Sequence, residues 1–95
     1  MATQVDIGTL IIRTLGTVGG RPRIAGTRIS VQNIAIWHNS GLVPEEIIGK
    51  YDHLSLAQVH AAISYYYANK QEIDGAIEAE EKLAQELAKQ YPRGA

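Results

Sequence analysis

Four arginines carry the strongest chemical signal in the first half of the sequence. No acidic residue lies between positions 6 and 45, and that interval contains Arg13, Arg21, Arg23 and Arg28. A planar guanidinium group binds phosphate or carboxylate oxygens through parallel hydrogen bonds. The cluster therefore indicates a surface that binds phosphates or a partner's carboxylates. The alternative is a connection with solvated charges, which is the commoner use of an arginine-rich turn.

Two short β segments are expected to position these arginines. Gly26 lies between Ile24 and Ile29, a pattern that predicts two segments joined by a tight turn, with Arg23 and Arg28 close together at its ends. Residues 9–15 are rich in β-branched side chains and predict a strand that pairs with one of these segments. We therefore expect a β-hairpin arm over residues 9–30.

Charge is distributed unevenly along the chain, although the net charge is only −1. Residues 7–44 carry four arginines and no acid, whereas residues 45–95 carry nine acids and five bases. This asymmetry predicts either two different partner surfaces or one surface that binds its own opposite half.

Length and composition narrow the class of protein. A chain of 95 residues predicts a single domain, 1–95, with a modest core that an oligomer would help to bury. The absence of cysteine excludes disulfides and thiolate metal sites. The sequence has no apolar run of the roughly 20 residues that span a membrane, and its N-terminus lacks the pattern of a signal peptide. We expect a cytoplasmic protein.

Helix-capping residues predict four helices after the arm. Ser30 is placed to cap a first helix over residues 31–40, and Pro44 suits the first position of a second helix. Ser55 and Gln58 form a capping box for a third helix, whose inward face would contain Leu56, Val59, Ile63 and Tyr66. The three-helix core would occupy residues 31–69.

The C-terminal helix, residues 71–91, has an apolar stripe that is too long to serve only as a cap on the core. We expect its distal half to contact a second copy or another protein. The residues predicted to make this contact are Ile77, Leu83, Leu87 and Tyr91.

The three core helices match a helix-turn-helix arrangement, in which the third helix enters the DNA major groove. Its exposed face would contain Ala57, Gln58, Ala61, Ser64 and Tyr65, with His60 at the margin. However, no lysine or arginine lies between positions 51 and 69, and phosphate contacts supply most of the affinity for DNA. Either the arginine hairpin provides the missing charge or the core binds protein.

Several motifs recur in order and resemble a known family, domain-of-unknown-function family 433. They are Gly20-Arg21-Pro22, Ile24-Ala25-Gly26-Thr27-Arg28-Ile29, Pro44-Glu45-Glu46-Ile47 and Leu54-Ser55-Leu56-Ala57-Gln58-Val59. The resemblance covers roughly residues 9–75 and implies a mainly α fold. This fold has a three-helix, homeodomain-like helix-turn-helix core with a small N-terminal β-hairpin and a long C-terminal helix.

The resemblance also implies an antitoxin-like function. Such proteins are often encoded beside a small PIN-like ribonuclease, and they are thought to neutralise it and to repress their own promoter. The matched motifs point to Arg21, Thr27 and Arg28. Taken with the residue pattern, the predicted DNA-binding set is Arg13, Arg21, Arg23, Thr27, Arg28, Gln58, Ala61, Ser64 and Tyr65.

Nothing in the sequence favours an enzyme. His38, His53 and His60 have neither a close carboxylate at metal-ligand spacing nor a cysteine companion, so we expect no catalytic residue, metal or cofactor. Two hypotheses follow. The first is a homodimeric, DNA-binding antitoxin and autorepressor. The second is a protein-interaction or oligomerisation module that does not bind DNA. Neither involves a membrane or a small-molecule substrate.

Overall fold

A computed structural model gives the structure of residues 6–13 and 20–90. Within these residues a small antiparallel sheet precedes four helices, as predicted. The elements are β1 (Ile11–Ile12), β2 (Arg23–Ile24), α1 (Val31–Asn39), α2 (Pro44–Ile48), α3 (Leu56–Ala68) and α4 (Lys70–Gln90). The helix bounds agree with the caps read from the sequence to within about two residues.

The N-terminal arm consists of β1, β2 and the turn that follows β2. Ile11 pairs with Ile24 and Ile12 with Arg23, which confirms the predicted pairing. The predicted strand starts too early, however. Thr9 lies in a 3-10 turn, and its amide donates to the carbonyl oxygen of Asp6 at 3.0 Å instead of to a neighbouring strand. The end of that predicted strand, residues 14–15, lies outside the described residues.

The tight turn at Ala25-Gly26 is present. The amide of Ile24 donates to the carbonyl oxygen of Ile29 at 2.9 Å, and Gly26 has a φ of 78°, which glycine adopts without strain. The Thr27 side chain stabilises this turn with two hydrogen bonds. Its hydroxyl donates to the carbonyl oxygen of Ile24 at 2.8 Å and accepts the amide of Ile29 at 3.0 Å.

The core lies between the arm, the three short helices and the first turns of α4. Its buried apolar side chains are Ile24, Val31, Ile34, Ala35, Ile47, Leu54, Val59, Ala62, Tyr66 and Ile73. The face of α3 that packs against the core differs from the predicted one. Leu56 was expected inside but is 42% exposed, whereas Ala61 was expected outside but is only 6% exposed. The reason is the N-terminal part of the chain, because Ile11 of the arm and Ile7 just before it lie beside Ala61 on that side of α3.

The capping box at the start of α3 gives a direct stability prediction. Ser55 accepts the amide of Gln58 at 3.2 Å, and the Gln58 side chain accepts the amide of Ser55 at 2.7 Å. We expect Ser55→Ala to lower the free energy of unfolding by about 1 kcal/mol, because one amide of the first turn loses its acceptor. Urea denaturation measures this change, and Ser64→Ala, on an exposed position of the same helix, should be nearly neutral.

Helix α4 belongs to the core only at its beginning. Ile73 is buried, and Asp74, Ala76 and Ile77 are half-buried. Every residue from 81 to 90 is exposed, and we call these ten residues the distal segment. At 1.5 Å per residue it adds about 15 Å of helix beyond the core. Across residues 6–13 and 20–90, no helix combines the length and apolar character needed to cross a membrane.

Candidate interaction surfaces

The first two arginines of the arm bind α4 of the same chain. Arg13 donates to the Glu72 carboxylate at 2.6 Å and to the Tyr65 hydroxyl at 3.5 Å. This hydrogen bond to the Glu72 carboxylate raises the pKa of Arg13 above its ordinary value. Arg21 forms an ion pair with Glu80. The basic arm therefore binds the acidic half of the chain, which is the second of the two arrangements that the charge asymmetry predicts.

A buried glutamine completes the contact around Glu80. The side-chain amide of Gln32, on α1, donates to the second carboxylate oxygen of Glu80 at 2.7 Å. A cavity of about 220 Å³ lies between the arm and α4, lined by Arg13, Arg21, Gln32 and Glu72 among others. Carboxylates of the same chain thus bind two of the four arginines for which the sequence predicted phosphates or a partner's carboxylates.

The other two arginines have different surroundings. Arg23 is half-buried and donates to the carbonyl oxygen of Thr27 at 2.9 Å, so it holds the turn in place. Arg28 is exposed, and within the described part of the chain it has no hydrogen bond or ion pair. Of the five predicted phosphate-contacting residues in the arm, Thr27 and Arg23 serve the turn. Arg28 alone is presented to solvent without such a contact.

The predicted base-reading residues of α3 do not form one surface. Gln58 is half-buried and its carbonyl oxygen is engaged in the capping box. Ala61 was expected on the exposed face but is buried beneath the arm, so it presents little surface for a DNA contact. Ser64 is exposed, and with the half-buried Tyr65 it lines a shallow groove of about 320 Å³ beside Ile7. The arm therefore covers Ala61 in the middle of the predicted recognition face, whereas Ala57, His60 and Ser64 stay exposed.

A polar cluster connects α3 to α4. The sequence did not predict it. The Tyr66 hydroxyl donates to Asp74 at 2.6 Å and accepts the Asn39 side chain at 3.0 Å, while Lys70 pairs with Asp74 at 2.7 Å. Asp74 follows Lys70 by four positions, a helical spacing that signals such a pair. Nearby, Nε2 of the half-buried His38 lies 2.6 Å from the Tyr67 hydroxyl.

Acid should weaken this cluster. The hydrogen bonds from Lys70 and Tyr66 hold the pKa of Asp74 below its ordinary value. A lowered folded-state pKa means that the stabilisation is complete above the unfolded-state value and is lost as pH falls through the folded-state value. We expect the wild-type protein to lose stability below about pH 4 more steeply than Asp74→Asn, as urea denaturation at a series of pH values would show. Parallel curves would contradict the role of Asp74.

The distal segment contains two of the four residues predicted to contact a partner. Leu83 and Leu87 are 59% and 47% exposed. Because they are four residues apart on a helix, they form one apolar stripe. Ile77 was predicted to belong to this contact, but it is half-buried against the core. Tyr91 lies outside the described residues. No cluster of His, Cys, Asp and Glu that could hold a metal ion occurs in residues 6–13 and 20–90.

These features define a small, mainly helical protein with an N-terminal two-stranded sheet and a long C-terminal helix. Residues 11–66 match a family model described as "Protein of unknown function (DUF433)". The chain belongs to this family, which confirms the resemblance. The match includes β1, β2 and α1 to α3 as far as Tyr66, and it ends before α4.

A solved structure shares the fold. It is the crystal structure of a DUF433 member protein from Anabaena variabilis, to which this chain is similar with a TM-score of 0.69 and 33% sequence identity. The similarity covers 74% of this chain and 69% of the Anabaena chain. Curated proteins gave no match.

Proposed function

We propose that this protein is an antitoxin-like interaction module that binds a partner protein through the distal segment of α4. The observation that supports this function is the exposed leucine stripe, Leu83 and Leu87, on a helix that has left the core. An amphipathic helix of this kind binds by laying its apolar residues into a hydrophobic groove. The alternative is that α4 only caps its own core. The apolar residues of α4 that pack on this core end at Ile77, so a cap does not account for the two leucines.

The net charge of α4 indicates the kind of partner that it would bind. Residues 70–90 carry six carboxylates and three lysines, a net charge of −3. Such a helix is complementary to a groove with a basic rim. A ribonuclease must hold the RNA backbone with cationic side chains, so it offers a surface of this type. The PIN-like ribonuclease implied by the family resemblance fits this description.

DNA binding and homodimerisation have less support from the geometry. In the free chain Arg13 and Arg21 are paired with carboxylates of α4, which would have to release them before they could bind phosphates. Ala61 is buried, and α3 contains no lysine or arginine. Homodimerisation through the distal segment would bring two copies of an acidic helix against each other, each with a net charge of −3 over residues 70–90, and like-charge repulsion disfavours that contact. Promoter repression and a homodimer therefore stay predictions.

The experiment is a calorimetric titration of the purified protein into a PIN-like ribonuclease encoded beside its gene, with RNA cleavage followed in parallel. We expect a stoichiometric complex in which cleavage is inhibited and whose affinity falls as salt rises, because the helix is acidic. A basic protein of unrelated fold is the control for attraction by charge alone. Absence of a complex, or equal binding to the control, would contradict the proposal.

A further inference from the structure

Two donors from different elements converge on the Glu80 side chain. Arg21, in the arm, binds one carboxylate oxygen, and Gln32, on α1, donates to the other at 2.7 Å. Gln32 is only 5% exposed, and a buried amide needs a hydrogen-bond partner. Arg21 and Gln32 thus form an anion-binding site, and in the free chain this site is occupied by the Glu80 side chain of α4.

A second anion contact lies on the same side of α4. Arg13 binds Glu72 at 2.6 Å, eight positions before Glu80, which corresponds to roughly 12 Å along the helix axis. The 220 Å³ cavity is lined by both arginines. At about 3.4 Å of duplex axis per nucleotide on one strand, a nucleic-acid backbone places three to four phosphates within the same length.

We propose that Arg13, Arg21 and Gln32 form a binding site for nucleic-acid backbone phosphates, which Glu72 and Glu80 occupy in the free chain. A phosphate offers the same geometry as a carboxylate to a guanidinium group, and a side-chain amide donates equally well to either. Helix α4 is then an intramolecular competitor. This inference concerns a surface separate from the leucine stripe, and it stands whether or not the stripe binds a ribonuclease.

Phosphates can replace the two carboxylates because these ion pairs contribute little to the stability of the fold. The side chains of both pairs are roughly half exposed, and exposed pairs contribute little to stability. Helix α4 is held separately by the buried Ile73 and by the Tyr66–Asp74 hydrogen bond. Opening the two pairs therefore leaves the helix in place while it frees the guanidinium groups.

The test compares two double variants that change net charge equally. Glu72→Ala/Glu80→Ala empties the arginine site, whereas Glu78→Ala/Glu81→Ala removes two exposed carboxylates that do not bind the arginines. The probe is a fluorescein-labelled DNA duplex of arbitrary sequence, and its anisotropy is titrated from about 50 mM to about 200 mM salt. Circular dichroism verifies that each variant is folded.

We expect Glu72→Ala/Glu80→Ala to bind the duplex about tenfold more tightly than the control double variant, since the competing groups of two weak pairs are gone. Two newly available phosphate contacts should steepen the dependence of log K on log salt by about 1.8. Adding Arg21→Ala or Gln32→Met to the first variant should reduce the gain. An equal gain in the control variant, or no gain in either, would overturn the proposal.

Discussion

Tyr66→Ala is expected to lower the free energy of unfolding by about 3–5 kcal/mol, the largest effect of any single substitution considered for this fold. Tyr66 is only 1% exposed and packs within the cluster that joins α1, α3 and α4. Truncation would leave a cavity and would also deprive Asn39 and Asp74 of a partner. Because small domains have about 5–15 kcal/mol of stability in total, the variant would be close to unfolding.

Neighbouring substitutions separate packing from hydrogen bonding. Tyr66→Phe keeps the ring and removes the hydroxyl, so we expect a loss of about 1–3 kcal/mol. Tyr67 is the matched control, because it is the next residue on α3 and is exposed. Tyr67→Ala should cost less than about 1 kcal/mol by urea denaturation. A result in which Tyr67→Ala is as damaging as Tyr66→Ala would contradict the assignment of Tyr66 to the core.

Leu83→Asp/Leu87→Asp is expected to weaken binding of the ribonuclease by about 100-fold or more, because two buried leucine contacts are lost and two charges must be desolvated at the groove. Both side chains are exposed in the free protein, so its stability should change little. Calorimetry measures the affinity, and thermal unfolding measures the stability. Loss of binding together with loss of folding would point to a structural role for the stripe instead.

The control for this pair changes charge without touching the leucines. Lys82→Gln/Gln85→Asp lowers net charge by the same two units, and both residues are exposed on another side of α4. We expect this variant to bind within about threefold of the wild type, since rim charges contribute modestly to affinity. If both double variants lose binding equally, the partner recognises overall charge and not the stripe.

Local signals in the sequence predict much of this fold. Ser30, Ser55 and Gly26 were recognised from capping and turn chemistry, which depends on residues only a few positions apart. The distal leucines were recognised from helical periodicity in the same way. Such short-range rules locate helix ends and apolar stripes without knowledge of the tertiary structure.

Long-range contacts explain what the sequence could not show. Arg13 and Glu72 are 59 positions apart, and no local rule pairs them. The arginines therefore looked unopposed in the sequence, although two of them bind α4. The orientation of α3 was ambiguous because apolar side chains surround most of its circumference, including Leu56 and Ala61. The position of the arm decides between the two faces.

Amide hydrogen exchange, with and without the ribonuclease, is the most direct test of the proposed partner-binding role of α4. In the free protein we expect residues 81–90 to exchange fastest within α4, because every residue of this segment is exposed. Partner binding should slow their exchange strongly and leave α3 unchanged. Slower exchange confined to α3 and the arm, with the distal segment unaffected, would contradict the account and favour recognition through the three-helix core.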